Sequence, residues 1–494
     1  MGEVRGPGVV RAGALSMVGM AALGLTRLIH GSLVVRATDA QTYGRVGVLI
    51  AVATIASLLL PAGVSSALPK FVPFLHGRGD PHAARNAYRL LSRLGLAGAV
   101  AFGLAAAAVA AAVLDLPARD TAQVAALAIA FSLYSIDKAA LYAYQRVPAY
   151  ARLELVTSAL AVLATVVVVA AGWPAYLAPL ALGYTAFAVG ARVLLRDQVR
   201  GPQPGGADRP AIGLGPVPRA EVFGYVALAC LGTLASQGFL QGTQLLAEAF
   251  ATPTEVGYFA AAVTLVTPMY FLPRALSVAL FPTMARAHGA GDTAAVRRQA
   301  DLSTRALFVV LAPVFAAAIL LAPEVLLLYG GDTLTAGSGV LRFMLAATFL
   351  AVCAVAAVNT LSSGDGWQVR TPVASAVAGA LTGLAVVALL GRPLGALGVG
   401  IGYLAGTAVT AGGPLLAVWR RHAMAWHGPV LLALGVVAGA LAAGALLGSL
   451  DVSAGARTAL NVGSALAAVA ASVALLARHL RAILSDVRNT RVRI

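Results

Sequence analysis

Two loops, HGRGDPHAAR at residues 76–85 and HGAGDTAAVR at residues 288–297, carry His, Gly, Gly, Asp, Ala and Arg at matching places. Each follows a proline, Leu68-Pro69 before the first and Phe281-Pro282 before the second. A glycine stands 25 residues ahead of each proline, Gly44 in Tyr43-Gly44 and Gly257 in Val256-Gly257. The copies are offset by 213 residues at the Gly–Pro pair and by 212 at the loops, so a single gap aligns them. Apolar segments follow both copies. The chain therefore reads as two halves descended from one unit. Among membrane proteins that pattern is typical of transporters, with the substrate held between the halves.

Composition fixes the solvent. Of 494 residues, 60% are hydrophobic and 11% charged, where a soluble domain carries about 25% charged residues. Mean hydropathy is +0.86. The apolar runs are ~20 residues or longer and lack strand alternation, so they are membrane helices and not barrel strands. Arg5 and Arg11 precede the first run. That run is too long for the apolar core of a signal peptide, so it is expected to stay as the first helix. Cys230 and Cys353 both fall in apolar segments and are expected to pack as small apolar groups.

Gly, Pro and charge clusters divide the chain into fourteen expected spans: 13–35, 43–66, 94–114, 123–144, 151–171, 176–195, 223–249, 257–281, 304–323, 339–361, 372–390, 396–418, 428–449 and 458–477. Of 35 Lys and Arg, 26 fall at one set of span ends and 5 at the other. This asymmetry accounts for the net charge of +16 without a nucleic-acid partner, and it places both termini in the cytoplasm. Both basic loops then share a side, so the two halves have the same orientation. The expected organisation is an all-α polytopic protein: a first six-helix lobe over 1–200, a Pro/Gly-rich linker over 201–219 and a second six-helix lobe over 220–425. An additional helix pair over 426–478 and a basic tail over 479–494 complete it. The external loops are too short for a catalytic domain, for example 172–176 and 391–395. No nucleotide-binding glycine loop and no metal-spaced Cys/His cluster is present, so no catalytic residue, metal or cofactor is expected.

Polar residues inside spans are expensive, and they tend to face water-filled cavities. Arg27 lies ~14 residues into the first span, about 21 Å along a helix. His30 follows one turn on, on the same face. The fourth span carries Tyr134, Lys138 and Tyr142 at i, i+4 and i+8. Asp137 points ~100° away from Lys138 and needs a partner on a neighbouring helix. In the seventh span Gln237, Gln241, Gln244 and Glu248 make one polar line. Arg274 follows Pro273 in the eighth span and aligns with Pro61 of the second, which points to paired kinks. Arg342, near the outer end of the tenth span, is expected at the interface. Within spans, Arg27, Lys138, Arg274 and Arg342 stand against Asp137 and Glu248, four cations to two acids. A cavity lined by them favours an anionic substrate such as a phosphate or pyrophosphate.

RAGALSMVGMAALGLTRLI (11–29), TYGRVGVL (42–49), the Pro69 and basic-loop pattern and TEVGYFAAAVTL (254–265) together resemble the multidrug/oligosaccharidyl-lipid/polysaccharide (MOP) exporter superfamily, most closely its polysaccharide flippase branch. APEVLLLYGGD (322–332) and PLGALGVGIGYLAGTAV (393–409) fit the same family. The resemblance implies two six-helix lobes around a central cavity that alternates between inward and outward access. It implies a bacterial cytoplasmic-membrane flippase, acting as a monomer, that moves polyprenyl-pyrophosphate-linked saccharides with the head group in the cavity and the tail in lipid. Arg27, Lys138 and Arg274 would meet the phosphate, with His30, Tyr134, Gln237, Gln241 and Gln244 as further cavity residues. Asp137 and Glu248, with His30, are the candidates for coupling to protons or sodium. Two alternatives share the fold. A lipid II flippase also carries an extra helix pair, but Pro61 stands where its cavity arginine would be. A cation-coupled drug exporter wants an acidic cavity. A membrane glycosyltransferase, of another class, would need acids or His in a sizeable loop.

Overall fold

A computed structural model describes residues 7–77, 80–200, 219–270, 284, 292–363 and 367–491, and all statements below concern these residues. They are helical almost throughout. The order is α1 (Pro7–Ala37), α2 (Ala40–Leu58), α3 (Leu60–Gly77), α4 (Pro81–Val113), α5 (Ala118–Ala143), α6 (Val147–Ala170), α7 (Ala178–Arg200), α8 (Arg219–Thr233), α9 (Phe239–Phe250), α10 (Pro253–Val266), α11 (Thr293–Leu320), α12 (Ala322–Gly330), α13 (Ser338–Cys353), α14 (Val355–Ser362), α15 (Trp367–His422), α16 (His427–Ser449) and α17 (Ala454–Arg491). Eleven of the described helical segments are long and apolar enough to cross a membrane. One of them, Arg370–His422, holds two expected spans joined at Gly395, whose φ of 55° breaks the helical run. The expected span 223–249 runs through α8, a π-helical turn at Leu234–Gly238 and α9. The span 257–281 begins in α10 and passes beyond the described residues at 271. The linker expected at 201–219 lies outside them up to residue 218.

The repeat read from the loops is also a repeat of helix caps. Asp80 accepts a 2.8 Å hydrogen bond from the Ala83 amide at the start of α4, and Asp292 accepts the same bond from Ala295 at the start of α11. Each aspartate satisfies an amide that the first helical turn leaves orphaned. One element earlier the correspondence recurs. Asp39 caps α2 through the Thr42 amide at 2.7 Å, and Thr252 caps α10 in a capping box with Glu255. Both caps stand five residues ahead of the repeat glycines Gly44 and Gly257.

By their internal contacts the residues form two compact units: Met1–Thr38 with Arg45–Leu245, and Asp39–Gly44 with Leu246–Ile494. Residues 219–245 open the second copy in sequence but pack in the first unit. There Gly63 lies so close to α8 that a Cβ would meet the Val226 carbonyl at 2.4 Å, and the Cys230 thiol donates to the Leu59 carbonyl at 3.1 Å. Lys70 lies 3.9 Å from the Tyr225 ring. Within the first unit, helices turn large apolar residues outward and small ones inward. On α4, Leu96, Leu104 and Val109 are exposed while Gly95, Gly98, Ala99 and Ala107 are buried. That inversion suits a lipid exterior, where close backbone packing replaces the hydrophobic drive between helices.

In the second unit the first turn of α2 presses on α10. A Cβ on Gly44 would sit 2.6 Å from the Gly257 amide nitrogen, and one on Gly257 would sit 2.0 Å from the Ala40 carbonyl oxygen. The repeat-equivalent glycines therefore touch each other, and neither has room for a side chain. Next to them the Tyr43 and Tyr329 hydroxyls are 2.8 Å apart. The C-terminal helices α16 and α17 pack on α11. Arg342 is buried among them and not at an interface, which corrects the expectation for it. Its Nε donates to the Ile319 carbonyl at 3.3 Å, and the guanidinium lies against Gly444 of α16. Asn461 of α17 donates to Glu324 at 2.8 Å.

Candidate functional site

The first unit encloses a polar and aromatic interior built by α1, α5, α6 and α7. Arg27 of α1 donates from Nε to the Tyr184 hydroxyl at 2.9 Å. Its guanidinium lies 4.9 Å from the Phe131 ring centroid and 5.9 Å from that of Tyr184. These rings hold the cation over their faces without neutralising it. One helix away, Lys138 donates to the Tyr134 hydroxyl at 3.3 Å, and that hydroxyl donates in turn to Glu154 Oε2 at 2.9 Å. The i, i+4 spacing on α5 makes the first link, and the apposition of α5 to α6 makes the second. Phe131, Tyr134, Tyr184 and Phe187 form the wall, with Tyr134 4.7 Å from Phe187 and 5.0 Å from Tyr184 between centroids. Tyr142 completes the α5 stripe, its hydroxyl bonded to Ser16 of α1.

His30 sits one turn beyond Arg27 and is 2% exposed. Its Nδ1 lies 3.0 Å from the Thr165 hydroxyl oxygen, whose own hydrogen goes to the Ala161 carbonyl at 2.8 Å. Thr165 must therefore accept, and Nδ1 carries the proton. Nε2 is left as a buried lone pair with no hydrogen-bond partner among the described residues. Asp137 does have its partner on another helix: Arg192 of α7, with Nε 3.0 Å from Oδ2.

The expected four-to-two excess of cations over acids changes in three ways. Glu154, not singled out from the sequence, is 2% exposed and belongs to the interior. Arg192, counted at a span end, reaches Asp137. Arg342 is packed in the second unit. Arg27, Lys138 and Arg192 against Asp137 and Glu154 leave one net positive charge. Arg274 lies outside the described residues. The glutamine line is interrupted, because the π-turn at Leu234–Gly238 adds a residue and rotates Gln237 away from those that follow. Gln237 and Glu248 are exposed, Gln241 is half-buried, and Gln244 is buried with Oε1 unpartnered among the described residues. The structure thus brings together Arg27, His30, Tyr134 and Lys138 and sets the glutamines on α8–α9. Reading residues singly missed Glu154 and the aromatic wall. The available signal for Glu154 was its position seven residues past the start of α6, deep enough to leave the helix end.

The family described as "Polysaccharide biosynthesis protein" matches residues 33–335. No curated protein sequence matches significantly. Among solved structures, an inward-facing multidrug resistance MATE family transporter of the MOP superfamily aligns with a TM-score of 0.64 at 14% identity, over 83% of this chain and 98% of its own. The lipid II flippase MurJ in an inward closed conformation aligns with 0.61 at 11% identity, over 94% and 99%. A MOP superfamily transporter from Pyrococcus furiosus, described by the reverse polarity of its binding pocket, aligns with 0.60 at 15% identity, over 84% and 95%. Two sequence halves, helical spans throughout, a cationic aromatic interior and a family match over more than half the chain converge: this is a multi-pass membrane protein of the polysaccharide biosynthesis protein family, with the fold of MOP superfamily transporters.

Proposed function

We propose that the protein flips polyprenyl-(pyro)phosphate-linked saccharide units across a bacterial cytoplasmic membrane by alternating access, for the synthesis of a cell-surface polysaccharide. The observation that carries this reading is the Arg27–Lys138 pair inside an aromatic wall, in a chain of the polysaccharide biosynthesis family. A diphosphate crossing ~30 Å of hydrocarbon needs compensating charge along its way. Arg27 offers a planar fork of donors, and Lys138 a compact point charge. Tyrosine hydroxyls and the amides of Gln241 and Gln244 both donate and accept, as sugar hydroxyls require. Arg274 is a third phosphate contact in this reading. His30 Nε2, with Asp137 and Glu248, provides protonation sites for coupling to an ion gradient. The Lys/Arg asymmetry supports cytoplasmic termini.

A lipid II substrate is the second reading. The observation favouring it is coverage: MurJ aligns over 94% of the chain, the MATE transporter over 83%. Reconstituted protein tested in proteoliposomes with a fluorescent undecaprenyl-pyrophosphate saccharide and with lipid II separates the two. Flipping of the saccharide conjugate, lost in Arg27→Ala, is the expected result. Flipping of lipid II alone establishes the second reading, and flipping of neither overturns both.

A further inference from the structure

The second unit carries a cleft that the translocation reading does not use. Arg297, Arg298, Asp301 and Arg305 on the first turns of α11 line it with Met424 and Ala425 from the turn between α15 and α16. Its geometry is fixed from both sides. Asp301 accepts a 2.8 Å hydrogen bond from the Trp426 indole and pairs with Arg305 one turn on. Arg297 donates at 3.2 Å to the carbonyl of Ala423, whose φ of 46° turns α15 into α16. Arg298 is exposed, with no hydrogen-bond or ion-pair partner among the described residues. Three guanidiniums against one carboxylate leave the lining with two net positive charges.

The setting identifies the depth. Trp426 is buried beside Trp419, whose ring centroid lies 4.4 Å from His427. Clustered basic residues at a helix end mark the head-group level of a membrane protein. Arg420, Arg421 and His422 close α15 at the same end. Immediately past the cleft, α16 turns exposed Leu431 and Leu432 outward, where acyl chains run. The cleft encloses about 190 Å³. That is below the ~300 Å³ at which drug-sized pockets begin, so it takes a small group and not an oligosaccharide.

We infer that this cleft binds the phosphate of an anionic membrane lipid, with Arg297 and Arg298 on the phosphate oxygens and the acyl chains along α16. Guanidinium forks match phosphate oxygens; the Ala423 carbonyl fixes Arg297, and Asp301 holds Arg305 beside the exposed Arg298. The apolar start of α16 favours a lipid over free phosphate. The site is independent of which substrate is flipped.

The test uses the full chain, purified in detergent, stripped of lipid and titrated with phosphatidylglycerol, phosphatidylcholine or inorganic phosphate. Native mass spectrometry and thermal unfolding read binding. Wild type should retain phosphatidylglycerol in preference to phosphatidylcholine and should unfold at higher temperature with it. Arg298→Ala, which breaks no internal bond, should weaken this binding roughly tenfold, and Arg297→Ala/Arg298→Ala further, with unfolding in phosphatidylcholine unchanged for the single variant. Equal phosphatidylglycerol retention by wild type and both variants overturns the proposal. An arginine-dependent shift reproduced by inorganic phosphate alone overturns the assignment to lipid.

Discussion

Arg192 reaches Asp137 across the gap between α7 and α5, Nε to Oδ2 at 3.0 Å, with the aspartate 1% exposed and the arginine side chain 43% exposed. The pair is buried on one side only. Removing the arginine strands a carboxylate in the helix interior, whereas removing both charges strands nothing. Arg192→Ala should lower stability by about 3 kcal/mol, the low end for broken buried pairs because solvent reaches Arg192. Asp137→Asn combined with Arg192→Leu should recover most of it. Thermal unfolding of the purified variants measures both.

Arg27→Ala is expected to abolish flipping while membrane abundance stays near normal. Among the described residues Arg27 is held by a phenol and ring faces, and buried Glu154, which lies in its field, keeps its Tyr134 donor when Arg27 is removed. Arg27→Lys should restore at most part of the activity, since the fork on Tyr184 and substrate oxygens is gone. Lys138→Ala should be as inactive. Normal transport by both alanine variants would show that neither side chain meets the substrate.

On the proposed flippase reading, Glu154 competes with the anionic substrate for the same cations; in the structure it holds Lys138 through the Tyr134 hydroxyl. Glu154→Gln keeps an acceptor for Tyr134 and removes the charge. The apparent KM for a pyrophosphate-linked substrate should fall several-fold, because Coulomb attraction to Lys138 and Arg27 is then unopposed. A rise in KM would instead make Glu154 a substrate contact. Glu154→Ala should also lower stability, since the buried Tyr134 hydroxyl loses its acceptor.

How far the residues announced this site depends on the distance over which each one acts. The His76–Arg85 and His288–Arg297 loops gave the halves, and their Asp80 and Asp292 proved to be matching helix caps, because capping is a relation over three residues. The Tyr134–Lys138 link was legible for the same reason, being one helical turn. That Asp137 needs another helix followed from its 100° offset; that the helix is α7 did not. Arg27 and Tyr184 are 157 positions apart, and nothing in a helical period pairs them. The glutamine line misled because its period assumed unbroken α-helix, and one π-turn resets the phase. Arg342 looked interfacial because α16, which buries it, has no copy in the first half.

Asn461 of α17 donates from Nδ2 to Glu324 Oε1 of α12 in a single 2.8 Å bond, and Glu324 Oε2 and Asn461 Oδ1 have no partner among the described residues. Asn461→Leu should therefore destabilise the attachment of the C-terminal helix by about 1–3 kcal/mol, the cost of leaving a carboxylate without its donor. Hydrogen exchange in 454–481 should rise more than in α11. Glu324→Gln/Asn461→Leu should show most of the loss relieved.

The contact between Gly44 and Gly257 makes the repeat read from the sequence self-policing. Had the two copies packed only against their own surroundings, each could have drifted alone. Here the Gly257 backbone confines Gly44, and the Ala40 backbone, one turn ahead of Gly44, confines Gly257, so a side chain gained on either is refused by the other copy's helix. Two columns 213 places apart should then change together or not at all among descendants of this chain. A protein that has lost smallness at both must have pulled these helices apart, and with them whatever motion their closeness permits.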